Sequence, residues 1–161
     1  MSKTERPVPE IKHERSFFYD EPQFLYAAVD GNPVGSLEYT RNIESGGWTL
    51  DSILVRDQKR GRGIGDALLK AFVNEIGTDQ PVDAYIEHES THQAIVNKYA
   101  GGLSPDETRE LPFEDLSSLA WVRWFRSCGI ETTNISVTMN PIEFGETTYA
   151  IVYEGVTLPK P

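Results

Sequence analysis

The chain has 161 residues, 39% of them hydrophobic, which is enough to bury the core of one globular domain. Twenty-five acidic against fifteen basic residues give a formal charge of −10, which disfavours nucleic acid and favours cationic or amine-bearing partners. The single Cys128 has no disulfide partner, and no apolar run is long enough for a membrane span or a signal-peptide core. These features predict a cytoplasmic protein that binds neither nucleic acid nor membrane.

The N-terminal segment is polar, charged and interrupted by prolines. It predicts a flexible arm over residues 1–15, followed by a single domain over residues 16–161. The short apolar segment Phe17-Phe18-Tyr19 is suited to an edge strand. Three strands then follow, joined by short turns, and predict an antiparallel meander: Phe24–Val29, Val34–Tyr39 and Trp48–Val55.

A glycine-rich basic loop follows the third strand. It runs Arg56-Asp57-Gln58-Lys59-Arg60-Gly61-Arg62-Gly63-Ile64-Gly65. Behind it, apolar residues recur every four positions from Ile64 to Ile76, and Gly77 fits a C-terminal cap, so an amphipathic helix of about three turns is predicted. Glycines let backbone N–H groups converge on one point, and a helix N-terminus adds unpaired donors. The segment therefore predicts a cradle for a phosphate or pyrophosphate.

Two common phosphate-binding loops do not fit this segment. A Walker loop ends in Gly-Lys-Ser/Thr, whereas Gly65 is followed by Asp66-Ala67. A dinucleotide fingerprint needs a third small residue three places after Gly63, and that place holds Asp66.

The loop resembles the acetyl-coenzyme A loop of the GNAT superfamily of N-acyltransferases. Arg60-Gly61-Arg62-Gly63-Ile64-Gly65 matches its signature Gln/Arg-x-x-Gly-x-Gly/Ala in full, and the resemblance extends from Phe24 to about Tyr99. It implies an α/β fold with a mixed, mostly antiparallel sheet, a β-bulge or splay at the acyl-coenzyme A site, and flanking helices. It also implies that the backbone of Ile53, Leu54 and Val55 lines the pantetheine arm, and that Arg60, Gly61, Arg62, Gly63, Ile64, Gly65 and Asp66 hold the pyrophosphate.

The family usually has a strand and two helices before the meander, which commonly form one wall of the acceptor pocket. Here barely two dozen residues precede the meander. The acceptor side is therefore expected to be open, or completed by a second subunit, as in a homodimer, or by a later insertion.

Further elements follow the loop helix. Val82–Ile86 predicts a buried parallel strand, because the preceding helix supplies the crossover. Thr91–Ala100 predicts a helix with Ser90 or Thr91 as N-cap. Where many family members have Asn, Ala and Tyr on this helix, the chain has His92, Ala94 and Tyr99. After a polar insertion, the pattern predicts a helix and a hairpin: Glu114–Cys128, then Ile135–Phe144 with Thr148–Val156.

Amine acylation by a thioester needs a neutral amine and a proton for the leaving thiolate. By the resemblance, Asp51 is the candidate base and Tyr99 the candidate general acid. Glu87 or His92 is expected to face the acceptor amine. His88 and His92 are four residues apart and have Glu87 and Glu89 beside them, which is a possible set of metal ligands. Acidic side chains are, however, common at helix N-termini without any metal, so no metal site is predicted.

The sequence thus predicts an acetyl-coenzyme A-dependent N-acetyltransferase. The acetyl group would pass directly to a primary amine of a small molecule or a protein. Two alternatives stay open. One is a non-catalytic acyl-coenzyme A-binding sensor or complex subunit on the same fold. The other acylates aminoacyl-tRNA, which the charge of −10 disfavours.

Overall fold

The computed structural model describes residues 8–16, 18, 21–56 and 63–159. Within them, eight strands form one sheet, in the order β1-β2-β3-β4-β5-β8-β7-β6. The β4–β5 pair is parallel and the other neighbouring pairs are antiparallel. The strands are β1 (Glu10–Glu14), β2 (Gln23–Val29), β3 (Asn32–Asn42), β4 (Gly47–Val55), β5 (Pro81–Tyr85), β6 (Thr108–Glu110), β7 (Ile130–Met139) and β8 (Tyr149–Thr157).

Four helices complete the described fold: α1 (Ile64–Ile76), α2 (Glu89–Tyr99), α3 (Phe113–Leu116) and α4 (Ala120–Ser127). Helix α1 makes the crossover from β4 to β5, buries the predicted apolar stripe and ends at Gly77, whose φ is 91°. The predicted meander, crossover helix and parallel strand are confirmed. The C-terminal hairpin is confirmed as well, but its first strand lies over Ile130–Met139 and not over Ile135–Phe144. The mixed, mostly antiparallel sheet with helices is also confirmed.

The helices cover one face of the sheet. Side chains of a strand point alternately to its two faces. One row of directly paired residues lies on the covered face and is buried: Tyr39, Leu50, Ala84, Tyr153 and Ile135. Ring centroids of Tyr39 and Phe72 are 5.2 Å apart, and those of Tyr153 and Phe125 are 4.7 Å apart. Buried residues of all four helices join this row in a single core.

The N-terminal boundary differs from the prediction. A flexible arm over residues 1–15 is wrong for Glu10–Glu14, which form β1 and pair with β2. This strand carries one apolar residue, Ile11, so its composition does not indicate a strand. Backbone pairing to β2 holds β1 in place. Phe18 lies in a bend, while Phe17 and Tyr19 of the predicted edge strand lie outside the described residues.

Two helix predictions need correction. The single helix predicted over Glu114–Cys128 is two helices, because Leu119 is extended (φ −82°, ψ 130°) and the Ser118 hydroxyl donates to the backbone carbonyl of Asp115. Helix α2 begins at Glu89 with His88 as its N-cap residue. The hydroxyls of the predicted caps, Ser90 and Thr91, lie within hydrogen-bond distance of the His88 ring instead. The polar insertion before α3 also contributes the edge strand β6.

Gly47, the first residue of β4, lies directly against Pro81, the first residue of β5. A Cβ atom there would lie 2.1 Å from the backbone carbonyl oxygen of Pro81. We expect Gly47→Ala to lower the free energy of unfolding by about 1–3 kcal/mol, because the added Cβ would clash with backbone and the backbones of β4 and β5 cannot move apart without cost. Urea unfolding followed by circular dichroism measures it. Gly101→Ala is the control, because a Cβ there meets nothing within 4 Å, and equal losses in both variants would contradict the prediction.

Candidate active site

A cleft opens where β4 leaves β5. The two strands pair at three positions, from Trp48 with Val82 to Leu50 with Ala84. Beyond Leu50, β4 continues to pair with β3 as far as Val55 but no longer with β5. The resulting cavity, of about 490 Å³, is lined by residues of β4 and β5, by Gly65, and by two tryptophans of α4.

A β-bulge places Asp51 at this cleft. Tyr39 pairs with Leu50 and Glu38 pairs with Ser52, so Asp51 is the extra residue on β4. Its carboxylate accepts a hydrogen bond from the Thr40 hydroxyl at 2.5 Å, which turns it away from the helix-covered face.

The surroundings of Asp51 change its acidity. Desolvation by the neighbouring protein raises the pKa of the Asp51 carboxyl, and the negative charge of Asp83 raises it further. The hydrogen bond from Thr40 opposes both effects, because it stabilises the ionised form. The result is a carboxylate that binds a proton more readily than an ordinary aspartate does, at the mouth of a cavity.

The N-terminus of α1 meets the cavity from the helix-covered side. Gly63 takes a left-handed conformation (φ 76°, ψ 11°) and starts the helix without a side chain that could cap it. The N–H groups of a helix's first turn have no partner within the helix. Gly65, in that turn, lines the cavity, and a Cβ there would lie 3.4 Å from the ring of Trp124. The first turn of α1, where backbone N–H groups have no partner within the helix, therefore borders the cavity at Gly65.

Residues 57–62 lie outside the described residues, so the predicted roles of Arg60, Gly61 and Arg62 stay predictions. Ile53, Leu54, Val55 and Gly65 do line the cavity. Asp66 is engaged differently: its carboxylate accepts a hydrogen bond from the indole N–H of Trp124 at 2.6 Å.

The aromatic side chains of α4 form a wall of the cavity. Trp121 and Trp124 both line it, with ring centroids 5.5 Å apart. The Trp121 N–H is buried and has no hydrogen-bond partner among the described residues. No pattern in the sequence indicated this wall, because an aromatic cluster on an amphipathic helix is usually core.

Of the two residues predicted to face the acceptor amine, Glu87 lines the cavity and His92 does not. Tyr85 and His88 also line the cavity, and neither of them was predicted as a site residue. The structure does not bring His92 into the cavity lining; its Nε2 lies 3.0 Å from the backbone carbonyl oxygen of Tyr149.

Tyr99 also lies away from the cavity. It is 9% exposed, and its hydroxyl donates to the carboxylate of Asp115 at 2.7 Å. Burial, with the Asp115 hydrogen bond, raises the pKa of Tyr99. Asp51 therefore lines the same cavity as Ile53, Leu54 and Val55 of the predicted cofactor-binding strand, whereas Tyr99 does not line it.

Within the described residues, no group of three or more His, Cys, Asp or Glu side chains is arranged to hold a metal ion. None of the described helices is both long and apolar enough to cross a membrane.

Comparison with known families gives one match of wide extent. The model of the acetyltransferase (GNAT) family matches residues 2–99. The chain belongs to the GNAT acetyltransferase family. No curated protein sequence matches it.

Solved structures of GNAT proteins share the fold. An aminoglycoside 6′-N-acetyltransferase complexed with coenzyme A is 16% identical, with a TM-score of 0.53 over 88% of this chain and 76% of that one. The aminoglycoside 6′-N-acetyltransferase from Enterococcus faecium is 16% identical, with a TM-score of 0.52 over the same shares. The IAA acetyltransferase from Bacillus cereus is 15% identical, with a TM-score of 0.50 over 85% of this chain and 78% of that one. The likeness concerns the fold.

The family match stops at the last residue of α2, yet this GNAT chain builds its cavity from both sides of that point. Trp121 and Trp124 come from beyond the matched region. The sheet also depends on the later residues, because every residue of β5 pairs with a residue of β8.

The acidity of Asp51 can be tested directly. Thr40→Val removes the hydrogen bond to the carboxylate, so the pKa of Asp51 should rise. Asp83→Asn removes a nearby negative charge, so the pKa should fall. Carboxyl carbon shifts followed by NMR across pH measure both. Glu44→Gln, in the turn between β3 and β4, is the control, and shifts of the same sign in both variants would refute this account of the site.

Proposed function

We propose that this GNAT protein transfers an acetyl group from acetyl-coenzyme A directly to a primary amine. The observation that carries the proposal is the cleft itself. One cavity joins the backbone of β4 and the N-terminus of α1 to a carboxylate of raised pKa. A cofactor arm and an amine could therefore meet inside it.

The described residues fit acyl-coenzyme A. Beyond Leu50, β4 carries on without β5 beside it, which leaves space for an extended pantetheine arm along Ile53, Leu54 and Val55. Gly63 and Gly65 present backbone donors at a helix N-terminus, where an anionic pyrophosphate is stabilised. Arg60 and Arg62 are proposed to add full positive charges there, with Gly61, Ile64 and Asp66 completing the loop. A structural relative of the same fold is complexed with coenzyme A.

Asp51 is proposed as the base. It takes a proton from the ammonium group of the acceptor, and the neutral amine then attacks the thioester carbonyl carbon. The carbon–sulfur bond breaks, and the products are an amide and a free thiol. An ordinary aspartate is a weak base for an ammonium ion, so the raised pKa of Asp51 favours this transfer. Glu87 lines the cavity and is proposed to hold the acceptor, with His92 the less directly placed candidate.

The leaving thiolate needs a proton, and two tyrosines are candidates. Tyr99 is assigned by the family motif, and it would have to exchange its hydrogen bond to Asp115 for one to the thiolate. Tyr85 lines the cavity directly and is 59% exposed. The placement favours Tyr85.

A second candidate function is a non-catalytic acyl-coenzyme A-binding protein. The observation that favours it is the engagement of Tyr99 by Asp115, away from the cavity. Such a protein would bind acetyl-coenzyme A and release no thiol above background with any amine.

Gly63→Asp tests the cofactor site. It places a negative charge at the N-terminus of α1, so the affinity for coenzyme A should fall on the order of a hundred-fold. Titration calorimetry measures this. Gly102→Asp is the matched control, since Gly102 has nearly the same left-handed φ (78° against 76°) but lies in the turn after α2 and not at the N-terminus of α1. Unchanged affinity in Gly63→Asp would refute the loop assignment.

Asp51→Asn tests the transfer step. We expect turnover to fall about a hundred-fold or more with coenzyme A affinity unchanged, because the base is lost and the cofactor contacts are kept. Release of free thiol from acetyl-coenzyme A is followed with a monoamine, a diamine, a polyamine, an amino acid and a lysine peptide. Glu44→Gln is the control. Wild-type turnover in Asp51→Asn would remove this residue from the mechanism.

The same assay separates the two tyrosines. Tyr85→Phe and Tyr99→Phe each remove one hydroxyl group. We expect the larger loss in Tyr85→Phe, because Tyr85 lines the cavity. A larger loss in Tyr99→Phe, with the fold intact, would restore the motif's assignment.

A further inference from the structure

The face of the sheet opposite the helices, here called the open face, carries no helix of the described chain. Its side chains follow from the pairing registers. One row runs Lys12, Tyr26, Ser36 and Leu54, a second runs Glu14, Phe24, Glu38 and Ser52, and a third runs Thr40, Thr49, Asp83 and Glu154. Every residue of these rows is half-buried or exposed. The covered face, in contrast, supplies the core.

A solvated sheet face is ordinarily polar, but this one also presents large apolar groups. Leu54 is 64% exposed. Tyr85, two residues after Asp83 on β5 and on the same face, is 59% exposed. Phe24 and Tyr26 stack on one another, with ring centroids 5.9 Å apart and planes 12° from parallel. Leu54 and Tyr85 line the cleft, and Phe24 and Tyr26 lie two strands away from it on β2. Exposed apolar groups of this kind suit a contact surface.

Carboxylates cross the open face from one edge towards the other. We call them the acidic line: Glu14, Glu38, Asp51, Asp83 and Glu154, on β1, β3, β4, β5 and β8. Asp51 stands in the middle of the line, at the cleft. Lys12 is the one basic residue in the three rows, and no salt bridge among the described residues involves the acidic line.

The charge of the open face selects its partner. A second copy of this chain would bring an equally acidic face, and nucleic acid or an anionic membrane would be repelled in the same way. A cationic partner is attracted. The acidic line crosses five strand spacings, about 24 Å, which corresponds to about seven residues of extended polypeptide and exceeds the length of a small amine.

We propose that the open face docks an extended, lysine-rich polypeptide along the acidic line. The apolar groups Leu54 and Tyr85 contact its backbone and aliphatic stems, and one of its amines reaches Asp51 at the cleft. The docking rests on the open face alone, whereas delivery of that amine to Asp51 rests on the proposed acetyl transfer.

The test uses a fluorescein-labelled eight-residue peptide of alternating Lys and Ser, with binding followed by fluorescence anisotropy. The triple variant Glu14→Gln, Glu38→Gln, Glu154→Gln should weaken binding about ten-fold, because three exposed charge contacts are lost. Added salt should weaken binding to the wild type.

A second triple variant is the matched control. Glu44→Gln, Glu107→Gln and Glu143→Gln change the net charge equally but lie outside the strands of the open face. This variant should bind the peptide within about two-fold of the wild type. Equal weakening in both triple variants would show general charge attraction and overturn the docking proposal.

Three other results would also overturn it: no binding to the wild type, equal binding of the same peptide with Glu in place of Lys, or displacement by spermidine at matched amine concentration. Thiol release with small amines, measured on the same samples, keeps the two proposals apart. A chain that acetylates small amines but does not bind the peptide loses the docking proposal and keeps acetyl transfer. A chain that binds the peptide but releases no thiol keeps the docking and loses the transfer.

Discussion

The site depends on a single extra residue in β4. Asp51 is inserted between the β4 residues that pair with Tyr39 and Glu38. Because of this insertion, the side chains of Leu50 and Ile53 both lie on the helix-covered face, and β4 diverges from β5 at the same point. Parallel pairing to β5 ends at Leu50, the residue just before the insertion. Opening of the sheet, exposure of β4's backbone and placement of a carboxylate at the opening are thus one structural event.

The order of elements was predictable from the sequence where pattern and chemistry agreed. The four-residue spacing of apolar side chains marked α1, and Gly77 marked its end. The strands of the meander and the final hairpin carried enough β-branched and apolar residues to be recognised. By contrast, β1 has a charged sequence and is held by its neighbour, and the break before α4 depends on the conformation of Leu119. Such features come from tertiary contacts, which a local pattern does not contain.

The candidate site was predictable only in part, for the same reason. The motif pointed to β4 and to the start of α1, and the described residues of both line the cavity. Distant segments supplied the rest: Trp121 and Trp124 reach the cavity across about sixty residues of chain, and the Trp124 indole binds Asp66. Tyr99 shows the converse. A side chain in the motif's register is held elsewhere, because α3, an element the motif does not include, offers it a carboxylate.

The interleaving of the two halves has a consequence for how the chain must be handled. Strand β8, which comes last in the sequence among the described strands, lies inside the sheet between β5 and β7. A fragment ending where the family match ends would leave β5 with a bare hydrogen-bonding edge and Ala84 without its cover from Tyr153. Such a fragment is a candidate for aggregation rather than a minimal enzyme, and it could be rescued by adding the missing C-terminal piece in trans.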